Sequence, residues 1–481
     1  MTGDFALADA VRRCDRLAAL AQRDDRHPGL VAAVVRPDRP LWTAAVGADV
    51  TADHQFRIGS ITKTFTAVLV MQLRDAGQLE LRDPLSAHLE VPAHGTLTLR
   101  DLLGHTAGLQ REPHGDVWDT LRMPDTGQLV AELELAEAIS RPGRRWHYSN
   151  LAFALLGEVV ATRYGAPWAE VLADRVLQPL GMTRTTVAPV PPAAQGYLVE
   201  PYTDRAHPEG PVDLRGFAPA GQLWSTVGDL ATWADFLASG HPEVLAASTL
   251  EEMSEPVAVV ERDVFTDAWG LGLQLTHRGG RAVHAGHGGA MPGFLASLQV
   301  RRADRIGAVA LGNNGVGEGI FDLTHHLIEA SLDADPAAGG AVADRRAGPA
   351  GVHQRARHLV GRGPALRLPL EGRRAARPAG ERPGRPALVS LCRGAGQPGR
   401  AAHGVRPGGR RAAAAAPRPG RDGHRDALGD VQVHQDAADH RLTARCQGAV
   451  AVHEAACGRP SGGAGGQAQV RHVPTRADRR G

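Results

Sequence analysis

After Ile328 the chain contains no Phe, Trp, Tyr, Ile, Met or Asn, and this limits which part of it can build a packed core. Arg, Ala, Gly and Pro dominate there, as in Arg406-Pro407-Gly408-Gly409-Arg410-Arg411-Ala412. Ordering a residue costs about 1 to 2 kcal/mol of backbone entropy, and without large apolar side chains little offsets that cost. The sequence therefore divides into a folded domain over residues 9–332 and a tail over residues 336–481. Three accounts of the tail compete: a disordered basic extension, a degenerate second domain, and the product of a shifted reading frame in arginine-rich coding sequence. The abruptness of the change in mid-chain favours the third. As a nucleic-acid arm the tail lacks stacking aromatics and mixes arginine with acids, so no nucleic-acid partner is expected.

Other whole-chain features are permissive. The 481 residues are 43% apolar with a net charge of +2, enough for a sizeable core and too balanced to point to a polyanion or a membrane surface. No basic segment followed by an apolar one opens the chain, and no apolar run reaches the length of a membrane span, so a cytoplasmic protein is expected. Cys14 precedes the tail, which holds Cys392, Cys446 and Cys457, with no C-x-x-C pair. Neither a disulfide framework nor a zinc site is expected, and no cofactor is implied.

Within the domain, Asp9 to Arg23 reads as an amphipathic helix, and Gly29 to Val35 with Leu41 to Val46 as a hairpin. A short helix ends near His105. Leu129 to Leu180 is helical in pattern, broken by the turn Pro142 to Asn150. Thr226 to Leu237 reads as a helix with Thr226 and Asp229 spaced as a capping box. Trp269 to Leu275, Ala282 to His284, Gly293 to Val300 and Ile306 to Leu311 read as strands, and Phe321 to Ser331 as a closing helix. Strands at both ends with helices between them predict an α+β fold, in which one antiparallel sheet is built from both ends of the domain. Helices cover its two faces in an α/β/α arrangement, with a helical subdomain inserted.

The chemistry centres on Ser60-Ile61-Thr62-Lys63. Lys63 is the only lysine in the chain; every other strongly basic side chain is arginine. An arginine stays charged, whereas a desolvated lysine can lose its proton and act as a base. The following run, Thr64 to Leu73, is apolar nearly all round, which predicts a helix buried on most sides with Lys63 at its mouth. Residues three apart share a helical face, so Lys63 should lie beside the Ser60 hydroxyl, with the Ser60 N–H in the unpaired first turn. A serine capping a helix with a snorkelling lysine has the same spacing; the solitary lysine and the buried helix favour catalysis.

Two other stretches complement this pair. Tyr148 supplies a phenol that a nearby ammonium, worth about 4 kcal/mol at 4 Å and an effective dielectric of 20, would bring toward neutrality. Lys63 and Tyr148 would then titrate together, leaving open which is the formal base. Asn150 is a candidate to hold a substrate amide carbonyl and the Lys63 amine, although Tyr148-Ser149-Asn150 taken alone also reads as a polar turn capping the next helix. In His287-Gly288-Gly289-Ala290, a polar residue followed by glycines on a strand lets backbone approach a ligand and offers the Ala290 N–H. His105 reads as a structural histidine, and His284 with His287 as an unlikely metal pair, since no further ligand sits at suitable spacing.

In this order, Ser60-Ile61-Thr62-Lys63, Tyr148-Ser149-Asn150 and His287-Gly288-Gly289 resemble the S-x-x-K, Y-x-N and K/H-x-G motifs of the serine β-lactamase and penicillin-binding-protein family. The resemblance covers about residues 9 to 332 and is nearest to the class C β-lactamase-like branch, with its esterases and D-stereospecific peptidases. Pro142-Gly143, Leu180-Gly181-Met182 and Pro219-Ala220-Gly221 also fit that branch, while Gln222 stands where it usually has glycine. The resemblance implies an acyl-enzyme on Ser60 and proton transfer by Lys63 and Tyr148. It also implies substrate binding by Asn150, His287 and Gly289, and an oxyanion hole from the Ser60 and Ala290 N–H groups. A histidine in place of lysine at position 287 implies weaker recognition of a carboxylate at neutral pH. The expected activity is serine hydrolysis of an ester, a β-lactam-like amide or a D-amino-acid peptide, with a small molecule or short peptide as partner. The rival is a non-catalytic binding or regulatory protein that keeps the fold.

Overall fold

The computed structural model describes residues 2–334 apart from Asp38, Asp49 and Val264; the tail expected over residues 336–481 lies outside the described residues. The amino-terminal helix α1 (Thr2–Asp24) leads into strands β1 (Gly29–Arg36) and β2 (Arg39–Gly47). The carboxy-terminal part supplies β3 (Ala258–Val259), β4 (Asp267–Trp269), β5 (Gln274–His277), β6 (Val283–Met291), β7 (Phe294–Arg301) and β8 (Ile306–Gly312). Among the described residues these form one antiparallel sheet in the order β2-β1-β8-β7-β6-β5-β4-β3. The two ends of the domain meet where β1 pairs with β8, from Leu30 opposite Gly312 to Val35 opposite Gly307.

Strand periodicity decides what each face buries. In β1, Leu30, Ala32 and Val34 pack with Cys14 and Ala18 of α1 and with Ile320, Leu327 and Ile328 of the last helix, α6 (Gly319–Ala334). Val31 and Ala33 face the larger core on the other side, where α2 (Thr62–Asp75) and α5 (Val227–Ser239) lie. Alternate residues of one strand thus serve two cores, as the period of two requires. The α+β, α/β/α arrangement expected from the sequence is the one observed. The helical insertion includes α3 (Leu99–Leu103) and α4 (Asn150–Tyr164), which packs against α2 and α3.

Some local expectations are corrected. The run Trp269 to Leu275 is not one strand: the Gly270 N–H donates to the Leu273 carbonyl, and the resulting turn separates β4 from β5. The stretch from Leu129 to Leu180 breaks into shorter pieces around α4. Thr226 caps α5 by accepting from Asp229 N at 3.2 Å, but Asp229 does not reach back to complete the box. Its carboxylate accepts from Arg184 N and Thr185 Oγ1 instead. No helix among the described residues is long and apolar enough to cross a membrane.

Candidate active site

A single helical turn, Gly59–Ile61, runs directly into α2, so Ser60 and Lys63 lie on consecutive turns of one continuous helix. Lys63 Nζ and Ser60 Oγ are joined by a hydrogen bond of 3.0 Å. The threonines of α2 find partners in the core: Thr64 Oγ1 accepts from Trp233 Nε1 and Thr66 Oγ1 donates to the Pro219 carbonyl. Almost the whole helix can therefore be buried, and Lys63 with it. Burial drives its pKa well below the usual lysine value; Glu112 opposes that shift and Arg111 adds to it. An amine in such surroundings is neutral more readily than any exposed lysine.

Tyr148 and Asn150 arrive from a loop whose ends are fixed by their neighbours. Ser149 Oγ accepts from Ala152 N and so caps α4, while its own N–H donates to His105 Nδ1 at 3.1 Å. The cap and the candidate site are the same three residues, because capping with Ser149 places Tyr148 just before α4 and Asn150 at its first position. His105 sits just beyond α3 with its pKa pushed well down by burial and the nearby cations, so it is a neutral structural histidine, as expected. Its ring packs 4.4 Å from that of Tyr148, and Trp146 and Trp269 complete an aromatic wall.

The protonation expected of Tyr148 is corrected. Burial raises its pKa above the ordinary tyrosine value; contact with Ser60 and the charge of Arg111 only partly offset this. The phenol lies close enough to Ser60 for that contact to count, yet its hydroxyl makes no hydrogen bond of ordinary geometry; the proximity is the firmer fact. Lys63 Nζ and the Arg111 guanidinium each stand 5.0 Å from the ring centroid. The cation invoked to acidify the phenol is itself desolvated, so burial works against the positive form of Lys63 as it works against the phenolate of Tyr148.

Backbone crowding sets the opposite wall. A Cβ on Gly289 of β6 would lie 2.0 Å from the Ile58 carbonyl oxygen, and a Cβ on Gly59, where φ is +50°, would lie 2.7 Å from Ala290 N. Both positions need glycine because strand and serine turn touch through their backbones. That contact brings Ala290 N alongside the Ser60 turn. Gly289 therefore lets the strand backbone approach the serine turn.

His287 is 3% exposed on β6. Its Nδ1 is hydrogen-bonded to the Gly288 carbonyl, and its Nε2 is buried without a partner. Burial, with Lys63 nearby, lowers its pKa to about 3. The ring is neutral and cannot present a cation to a carboxylate. Asn150 lines the pocket with Ser60, Phe217, Ala220 and Met291, but the expected contact with Lys63 is replaced. Asn150 Nδ2 donates to Glu112 Oε1 at 2.7 Å, and Lys63 Nζ donates to the Ala220 carbonyl at 2.6 Å. His284 meets His325 rather than His287, Nδ1 to Nδ1 at 2.7 Å.

Comparison with known proteins accords with this geometry. A family model described as Beta-lactamase matches residues 15–331. The chain belongs to the beta-lactamase family. Over 280 residues it is 28% identical to Beta-lactamase-like protein 2 of Dictyostelium discoideum, covering 53% of this chain and 51% of that one; the chain spans about half the length of that relative. The D-alanyl-D-alanine-carboxypeptidase/endopeptidase AmpH of Escherichia coli is 29% identical over 304 residues, covering 57% of this chain and 77% of that one. Among solved structures, a D-stereospecific amidohydrolase from Streptomyces superposes with a TM-score of 0.58 at 27% identity, covering 67% of this chain and 98% of that one.

Several residues of this beta-lactamase-family site carry no signal in the sequence. Arg111 and Glu112 both line the pocket, and Arg111 Nε lies 3.3 Å from Glu112 Oε1. Only the folded loop brings them there: the Arg111 carbonyl accepts from Asn150 N, and Gln110 Nε2 donates to the Glu112 carbonyl. Gln222, which the sequence leaves without a role, ties the pocket's far side together. Its Oε1 accepts from Leu214 N and its Nε2 donates to the Val187 carbonyl.

Proposed function

We propose that this protein is a serine hydrolase that forms an acyl-enzyme on Ser60 and returns it to water. Its favoured substrates are amides or short peptides of a D-amino acid whose amino group is free. The observation that carries the chemistry is the fully buried Lys63, hydrogen-bonded to Ser60 and with its pKa held well down. With the amine neutral, the Ser60 O–H donates to the Lys63 lone pair, while a Lys63 N–H remains bonded to the Ala220 carbonyl. Lys63 takes the serine proton as the oxygen attacks the substrate carbonyl. Negative charge on that carbonyl falls between the Ser60 and Ala290 N–H groups. Tyr148, a neutral phenol at rest, gives its proton to the departing nitrogen and recovers one from the Lys63 ammonium. Water retraces these steps to release the acid.

The preference for a free amine rests on Glu112. Asn150 occupies one carboxylate oxygen, while Oε2 is buried without a hydrogen-bond partner among the described residues. A substrate ammonium would satisfy it, whereas a carboxylate at that place would be repelled. Similarity to the D-stereospecific amidohydrolase and the D-alanyl-D-alanine carboxypeptidase supports D stereochemistry. A fluorophosphonate probe is expected to label the Ser60 peptide. D-alanine p-nitroanilide should be turned over faster than its N-acetyl or L counterpart, and Glu112→Gln should erase the amine preference. Faster hydrolysis of nitrocefin or of the acetylated anilide would overturn the substrate assignment. No labelling and no turnover would favour the non-catalytic alternative.

A further inference from the structure

Tyr148 lines a second concavity together with Arg111, Arg144, Arg145, Arg262, His147, Glu261 and Trp146. Four arginines therefore face one carboxylate. Arg111 is already paired with Glu112, but Arg144, Arg145 and Arg262 make no ion pair among the described residues. Arg262 is held in place by its backbone contact, Nη2 donating to the Arg144 carbonyl at 2.6 Å. Burial, and after it the charges of Arg111 and Arg145, push the His147 pKa down, which disfavours a further positive charge there. Other arginines, such as Arg23, Arg26, Arg74 and Arg278, sit against a carboxylate; in the groove, three arginines without an ion pair among the described residues line one concavity.

Its position gives that charge a meaning. The groove shares Arg111 with the Ser60 pocket, and the phenol that forms its wall is the group assigned to protonate the leaving atom. A group that donates this proton must touch the leaving nitrogen, so the leaving portion of the substrate extends along Tyr148 into the groove. One carboxylate is satisfied by one guanidinium fork. Three unpaired arginines exceed that need, and the buried, neutral His287 offers no alternative cation.

We propose that the groove formed by Arg144, Arg145 and Arg262 beside Tyr148 selects leaving groups that carry more than one carboxylate, such as an acidic amino acid or acidic peptide. The inference rests on the proposed acyl-transfer reading for its direction, and its test separates the two. In the wild type, kcat/KM should rise from D-alaninamide through D-alanyl-D-alanine to D-alanyl-D-glutamate, and this order should flatten as salt is raised, because exposed charges are screened. In the double variant Arg145→Gln/Arg262→Gln the ratio for glutamate over amide leaving groups should fall about tenfold. Removing the same charge from α1, with Arg12→Gln/Arg16→Gln, should leave that ratio at its wild-type value. Binding is read independently of turnover by titrating D-glutamyl-D-glutamate into the Ser60→Ala protein, with and without the two groove substitutions. About tenfold weaker binding in the groove variant supports the proposal even if no substrate is hydrolysed, in which case only the reaction assignment fails. Equal affinity in both proteins, or an unchanged leaving-group ratio with active enzyme, overturns it.

Discussion

Two sets of cationic residues near Tyr148, Lys63 and the groove arginines, stand in opposite environments. Lys63 is fully buried and its positive form is disfavoured; in the groove, Arg144, Arg145 and Arg262 form no ion pair among the described residues. The same dielectric contrast explains both. A dry site makes the proton on an amine expensive and so turns lysine into a base, whereas a wet groove leaves a guanidinium charged and available to an anion. On the proposed reading, chemistry is placed where charge is discouraged, and recognition where charge survives.

The sharpest way to break this contrast is to force a permanent charge into the dry site. Lys63→Arg is expected to be as damaging as Lys63→Ala, each lowering kcat/KM for D-alanine p-nitroanilide about a thousandfold. Folding should be checked by thermal melting. An arginine enzyme retaining near-wild-type rates would remove the neutral-amine base.

A smaller effect is expected from Tyr148→Phe, which keeps the ring and removes the proton it delivers. Amide hydrolysis should fall about a hundredfold, and p-nitrophenyl acetate hydrolysis much less, because nitrophenolate departs without being protonated. Equal losses on the two substrates would show that the hydroxyl serves Ser60 and not the leaving group.

The mildest perturbation is pH. Catalysis needs Lys63 without its proton, and burial lowers its pKa, so kcat/KM should rise with pH through a limb lying below the ordinary lysine range. The raised pKa of Tyr148 keeps the phenol protonated across that range. The sign for stability agrees: unfolded Lys63 binds its proton up to about pH 10.4 while the folded residue sheds it earlier, so this residue's contribution to stability grows as pH rises between the two values. An activity limb at the ordinary lysine pKa would mean that Lys63 is charged at rest.

Much of this molecule was written locally. The continuous apolar runs of β1 and β8 and the nearly uniform apolarity of α2 marked the sheet and the central helix, and the three-residue spacing of Ser60 and Lys63 placed amine beside hydroxyl. The family motifs followed from residues within a few positions of one another. Where local reading faltered, distant chain was involved. The Trp269 to Leu275 run contains a turn that only strand pairing makes visible, and Asn150 turned from Lys63 toward Glu112, which reaches the site from another loop.

What the sequence determined was therefore identity and spacing: which side chains exist, which share a helical turn, and which segment can bury enough surface to fold. What tertiary structure decided was protonation and adjacency. Water exclusion around Lys63, Tyr148 and His287 is a property of the packed core, contributed by helices and strands far apart in the chain. The charge state of each group, and so its chemical role, was fixed only when those elements came together.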